Sequence, residues 1–225
     1  MNQGIQDKLI GFLYLFPVLL ISVALHEFAH CWTGDRLGDD TPRRAGRVTL
    51  NPLAHLDPLG TFMMVVTSWT GFGFGWGKPS PMNPNNFRHP ARDRMIGALA
   101  GPFSNILQML AWASLRLLAP ALLLLILPRQ ACIPMMTVID TFCSYGVIIN
   151  AFLAVFNLLP IFPLDGHHVL SYIVPSSLRP MVDNPLWGLL FLVLVFTGAL
   201  GVIAGPVIQV SCAITQYLVG WSPQI

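Results

Sequence analysis

Residues 9–32 read LIGFLYLFPVLLISVALHEFAHCW. No Asp, Glu, Lys, Arg or His interrupts the run from Leu9 to Leu25. A helix needs ~20 consecutive apolar residues to cross a bilayer, so the stretch predicts a membrane span. The residues before it lack the basic head of a signal peptide, and no small-residue cleavage site follows, so the span is expected to be retained. The run closes on His26-Glu27-Phe28-Ala29-His30. Ionisable groups inside or at the edge of an apolar span are costly, which marks these three as functional candidates.

The composition agrees with a membrane protein. Of 225 residues, 10% are charged and 54% hydrophobic, and the mean hydropathy is +0.65. Ordinary soluble domains carry about 25% charged residues. A disordered chain is therefore excluded, and a soluble globular enzyme is not expected. A net charge of +2 creates no field that would recruit nucleic acid, and no nucleic-acid partner is expected. The four cysteines show no CxxC spacing and lie in or beside apolar runs, where packing is their expected role.

A polar loop, residues 34–58, follows the first span and holds Arg36, Arg43, Arg44 and Arg47 at its start and interior. Residues 59–76 are apolar but rich in glycine, and Lys78, Arg88, Arg92 and Arg94 follow them. Basic residues on both flanks predict a segment that dips in and returns on the cytoplasmic side, with a full span as the alternative. Within it, GFGFGWG (71–77) alternates glycine with aromatics. That period suits an extended strand; a glycine-rich loop packed closely between helices is the rival. Further apolar runs cover Met95–Leu127, with a bend or break near Pro120, and Met136–Leu159, ended by Pro160 and Pro163. A short segment spans His167–Val174, and a last run spans Leu186–Gly220 with a break near Gly198–Pro206. The expected fold is an all-α polytopic membrane protein. It has four to six transmembrane helices and a short membrane-associated β or re-entrant segment near 59–84. One domain covers 1–225, with a core over roughly 9–174 and C-terminal helices over 186–220.

The chemistry centres on HEFAH. Positions i and i+4 share one face of a helix, so two imidazoles can converge on one zinc ion. The glutamate between them can reach water at the metal. A third protein ligand is needed. Glu27 is the only glutamate, and position 36, where a third histidine would complete an extended motif, is arginine. His55, His89, His167, His168 or an aspartate remain. Asp165, in Pro163-Leu164-Asp165-Gly166, is the strongest, since a carboxylate in so apolar a setting needs a cation or several donors. Its alternative role is to cap the helix beginning near His167.

HEFAH at 26–30 and NLLPIFPLDG at 157–166 resemble the two signature motifs of the site-2 protease family of intramembrane zinc metalloproteases. NPLAHLDPLG at 51–60, GWGKPSPMNP at 75–84 and AGPFSN at 100–105 are further family-like stretches. The resemblance runs from Leu20 to His168, about two-thirds of the chain, and is nearest to compact members without PDZ or CBS modules. It implies that His26, His30 and Asp165 hold one Zn2+ per chain and that Glu27 is the general base. It also implies that Asn157 helps to hold the substrate backbone.

The expected activity is hydrolysis of peptide bonds in membrane-spanning or membrane-proximal proteins by zinc-activated water. A substrate helix must unwind first, and in lipid this leaves backbone groups unsatisfied. Strand addition along Phe74, Gly75 and Trp76 is the expected remedy. His55, Asp57 and Asn105 are candidates for supporting the site from behind. The rivals are a divalent-metal transporter, which gives Glu27 no task, and an inactive homologue. The expected location is a prokaryotic cell membrane, multi-pass, with the lipid bilayer and a membrane protein substrate as partners. His26 lies about 17 residues into the span, ~25 Å along a helix, which puts the site toward the cytoplasmic side.

Overall fold

The computed structural model describes residues 3–71, 73–184, 186–188, 193 and 200–219. Its helices are α1 (Gln3–Arg36), α2 (Thr41–Arg44), α3 (Pro58–Trp69), α4 (Pro90–Ile126), α5 (Arg129–Asn157), α6 (Gly166–Ile173), α7 (Arg179–Val182) and α8 (Leu200–Val219). Short 3-10 turns cover Pro52–His55 and Pro84–Asn86. Among the described residues there is no strand, only an isolated antiparallel bridge between Leu56 and Gly77. The fold is helical, as expected.

Among the described residues three helices, α1, α4 and α5, are long and apolar enough to cross a membrane. They have 34, 37 and 29 residues, and at ~1.5 Å per residue each exceeds a ~30 Å hydrocarbon core. The additional spans expected in 186–220 fall partly on residues 189–192, 194–199 and 220, which lie outside the described residues. Of the bend or break expected near Pro120, the break is absent: α4 passes through Pro102 and Pro120 and ends at Ile126. One proline removes a single helical hydrogen bond, and the leucine-rich sequence around Pro120 sustains the helix on either side. For the same reason α5 begins at Arg129 and runs through Pro134, seven residues ahead of the expected start.

The helix ends follow local chemistry. Asp57 caps α3, its Oδ1 accepting from Gly60 N at 2.8 Å, and Pro58 takes the first helical position. α4 likewise begins on Pro90. α5 stops at Asn157, since Pro160 cannot donate to the helix and restricts the residue before it.

Helices α1, α4 and α5 pack against one another, α3 lies on α1 and α6 lies on α4. Leu15, Val18, Leu19 and Val23 of α1 bury against Met64 of α3 and Ile149 of α5. Phe156 and Leu164 bury with Val207, which docks α8 beside the end of α5. Polar side chains also lie inside the bundle: Ser22, Asn105, Ser144 and Asn150 are all fully buried.

The glycine-rich segment differs from the strand expectation. After the twelve residues of α3, Gly71 and Gly73 take φ values of 86° and 63° and turn the chain back. It returns along α3, where the Phe74 N–H donates to Thr67 Oγ1 (2.7 Å) and Thr67 Oγ1 donates to the Phe74 carbonyl (2.6 Å). Alternate glycines face the helices. A Cβ at 73 would press on Leu15, at 75 on Met64 and the Gly60 carbonyl, and at 77 on Val23 and Glu27. Period two here records close packing between α1 and α3. The structure follows the close-packed loop reading.

Candidate metal centre

His26 and His30 lie one turn apart on the same face of α1. Their Nε2 atoms are 3.0 Å apart. Asp165 closes the group: its Oδ2 is 3.2 Å from His26 Nε2 and its Oδ1 is 3.3 Å from His30 Nε2. Among the described residues these three are the only His, Cys, Asp or Glu side chains that converge as a metal-binding set. Asp165 stands at the N-cap position of α6, yet its side chain makes no capping hydrogen bond. The carboxylate points to the histidines instead, so the capping alternative does not describe it.

The far sides of both imidazoles show what the near sides can do. His30 Nδ1 lies 2.8 Å from the Gly97 carbonyl, which can only accept. His26 Nδ1 lies 2.6 Å from Asn105 Oδ1. The Gly97 carbonyl makes His30 Nδ1 the donor; with the Asn105 amide oriented as it stands, His26 Nδ1 donates too, and in neutral rings both Nε2 atoms then offer lone pairs to the centre. Asp165 adds a carboxylate whose Oδ2 is buried without a hydrogen-bond partner among the described residues. A metal cation, or a proton shared with the carboxylate, would satisfy groups this close and this buried. Two imidazoles and one carboxylate form a donor set that suits zinc.

Helix α4 builds the back wall through one face at four-residue spacing. Gly97 supplies its carbonyl, Gly101 supplies room, and Asn105 supplies its amide oxygen. A Cβ at 101 would overlap His30 Nε2 and Cε1 and His26 Cε1.

Glu27 points to the side of the pair, toward the loop after α3. Ser80 Oγ lies 3.0 Å from Glu27 Oε2 and 3.1 Å from the Glu27 carbonyl, and Cys31 Sγ is 3.1 Å from the same hydroxyl. The loop carrying Ser80 thus fixes one oxygen of the Glu27 carboxylate.

The remaining candidates divide. Asn105 touches His26, as the sequence reading anticipated. His55 is buried, but its Nε2 bonds the Thr49 carbonyl at 2.8 Å and Asp57 caps α3, so both organise the loop. His89 is exposed and bonded to Arg92. His167 turns to Asp183, with Nε2 2.9 Å from Oδ1. Burial, with Arg94 nearby, pushes the His168 ring down to about 4, so it is neutral at physiological pH. Asn157 donates to the Leu153 carbonyl of its own helix at 2.9 Å. Phe74 and Trp76 pack edge to face, ring centroids 6.1 Å apart, and Trp76 is exposed. Thr67 occupies both backbone groups of Phe74, so any backbone edge offered to a substrate begins at Gly75. The sequence reading missed Ser80, Asn150 and the roles of Gly97 and Gly101. The Gly97, Gly101, Asn105 spacing was visible, but glycines on an apolar helix read as packing.

The profile of peptidase family M50 matches residues 125–201. YwhC of Bacillus subtilis (strain 168), named as a zinc metalloprotease, is 35% identical over 189 residues, which cover 84% of this chain and 82% of that protein. Rip2 of Mycolicibacterium smegmatis, also named as a zinc metalloprotease, is 31% identical over 194 residues, 84% of this chain and 69% of that protein. Rip2 of Mycobacterium tuberculosis (strain H37Rv) is 29% identical over 178 residues, 79% of this chain and 64% of that protein. No solved structure matches the chain. Similarity to YwhC along most of both chains, together with the family profile, identifies this chain as a member of peptidase family M50, the site-2 proteases.

Proposed function

We propose that the protein is an intramembrane zinc endopeptidase that hydrolyses peptide bonds of membrane-spanning or membrane-proximal proteins. The observation that carries this reading is the convergence of His26 Nε2, His30 Nε2 and the Asp165 carboxylate, with each Nδ1 set against an oxygen, of Asn105 or Gly97. These three side chains would hold one zinc ion per chain and leave a coordination position open. When bound, zinc supplies Lewis acidity toward a carbonyl and lowers the pKa of a coordinated water.

Glu27 is the general base. Ser80 holds its Oε2, and its other oxygen, Oε1, takes the proton from the attacking water and returns it to the leaving amine. Asn157, Phe74, Gly75 and Trp76 are the residues we assign to the substrate, Phe74 through its ring and Gly75 and Trp76 through their backbone groups. The exposed Trp76 and the return of residues 74–76 along α3 support that assignment. The site opens toward the cytoplasm of a bacterial cell, in keeping with the basic loops at that end and the bacterial relatives.

Zinc per chain, counted in detergent-purified protein after identical mild chelation, tests the reading. Wild type is expected to keep about one zinc and Asp165→Ala to lose it. Glu27→Gln is expected to keep zinc while cleavage of unfolded casein falls by about 10²–10⁴-fold. Equal zinc retention in wild type and Asp165→Ala would remove Asp165 from the site. Undiminished cleavage by Glu27→Gln would remove the general base.

A further inference from the structure

We propose that Asn150, which touches neither imidazole, is a positioning residue that fixes the tautomer of His26. The inference rests on the reading of His26, His30 and Asp165 as a zinc site. An asparagine beside a histidine is ambiguous by itself, because its amide can present either oxygen or NH2. If Asn105 turned its NH2 to His26 Nδ1, the ring would carry its proton on Nε2 and point it at the metal position. Asn105 therefore has to be told which way to face.

The instruction comes from α5 through two hydrogen bonds. Asn150 Nδ2 donates to the Gly146 carbonyl at 2.8 Å and to Ser22 Oγ at 2.9 Å. A backbone carbonyl cannot donate, so the Asn150 amide has one allowed orientation, with Oδ1 facing α4. Asn105 Nδ2 donates to that oxygen at 2.9 Å. Asn105 Oδ1 is then left for His26, whose Nδ1 must carry the proton. The order runs from a group that cannot be inverted, the Gly146 carbonyl, to the His26 Nε2 lone pair. Asn105, Asn150 and Ser22 are all fully buried, so bulk water cannot substitute for a missing link. Partners behind a metal-bound histidine typically contribute 10–100-fold in metal affinity. The second histidine needs no such relay, because the Gly97 carbonyl meets it directly.

The test measures zinc affinity by chelator competition and the protonated ring nitrogen by 15N NMR of histidine-labelled protein. Asn150→Leu is expected to weaken zinc by about 10–100-fold and to bring an Nε2–H signal into the spectrum. Asn150→Asp is expected to bind within about threefold of wild type, since a protonated carboxyl accepts from Asn105 and donates to Gly146. Adding Asn105→Asp to Asn150→Leu is expected to restore affinity, because a carboxylate at 105 accepts from His26 whatever stands at 150. A purely structural role for Asn150 predicts no such rescue. Wild-type affinity in Asn150→Leu, failure of the double variant to recover, or a folded Asn150→Asp protein weakened tenfold would each overturn the proposal. A wild-type protein that holds no zinc would overturn the function itself, and this inference with it.

Discussion

Gly101 carries no side chain, yet the spacing of α4 from the histidine pair depends on it. In an isolated helix Gly→Ala is stabilising by about 1 kcal/mol. Here the added methyl would occupy the space of His30 Nε2, His30 Cε1 and His26 Cε1, and a packed interior gives little room to shift. Gly101→Ala is therefore expected to lose bound zinc and to lower the melting temperature despite its better helix propensity. A variant that keeps its zinc would show that α4 can move away from the site. At this scale the sequence was informative where the chemistry is local. HEFAH could be read because i and i+4 share a helix face without any tertiary information. Asp165 could be nominated by its apolar surroundings, but its capping alternative was removed only by the approach of its carboxylate to the two histidines of α1. Asn150 gave no signal, since an asparagine within an apolar helix says nothing of what it faces.

Asp39 ties the loops at the site's end together. Its fully buried carboxylate accepts from Thr41 N (3.1 Å), Thr41 Oγ1 (2.5 Å), Asn86 Nδ2 (3.0 Å) and Asn83 N (2.6 Å). The turn before α2 is thereby joined to the segment between Ser80 and α4. Burial alone would raise this carboxyl; the donors outweigh it and hold it below the usual carboxylate range. Because the folded pKa is the lower one, the unfolded chain binds more protons as pH falls toward ~3.9. The contribution is present in full above that value and is lost as pH falls through the folded pKa. Asp39→Asn sets an NH2 against donors and is expected to cost about 2 kcal/mol at neutral pH. Thermal melts in detergent should show a constant gap between the two proteins above about pH 5 that narrows below pH 4. A gap independent of pH would mean that the charge is not what the donors recognise. Elements also mark where reading the sequence fell short. Alternation at 71–77 fits a strand or a ribbon pressed between two helices, and only the positions of α1 and α3 distinguish them. Pro120 read as a bend or break because its local cost is real, but the long apolar helix runs through it.

Charge along the whole chain predicts its direction in the membrane. The end of α1 and the start of α4 meet, where the Arg88 N–H donates to the Leu37 carbonyl at 3.4 Å. Arg36, Arg43, Arg44, Arg47, Lys78, Arg88, Arg92 and Arg94 all belong to this end, eight of the twelve Lys and Arg residues. The turn between α4 and α5, at the other end, has Arg129 beside it. Short loops rich in Lys and Arg stay in the cytoplasm, so the loops around the centre should face inward. His26 is ten residues from the last residue of α1, or ~15 Å of helix, which would make the route for water short from that side. Single cysteines report the orientation. Leu53, 72% exposed in the loop before α3, and Gln130, exposed at the start of α5, are suitable positions. Three of the four native cysteines are buried and the fourth is partly so, which keeps background labelling low. A membrane-impermeant maleimide added to intact spheroplasts should label Gln130→Cys and spare Leu53→Cys; inverted vesicles should reverse the pattern. Labelling of Leu53→Cys in intact spheroplasts would turn the chain over. The metal centre would then draw its water, and meet its substrates, from outside the cell.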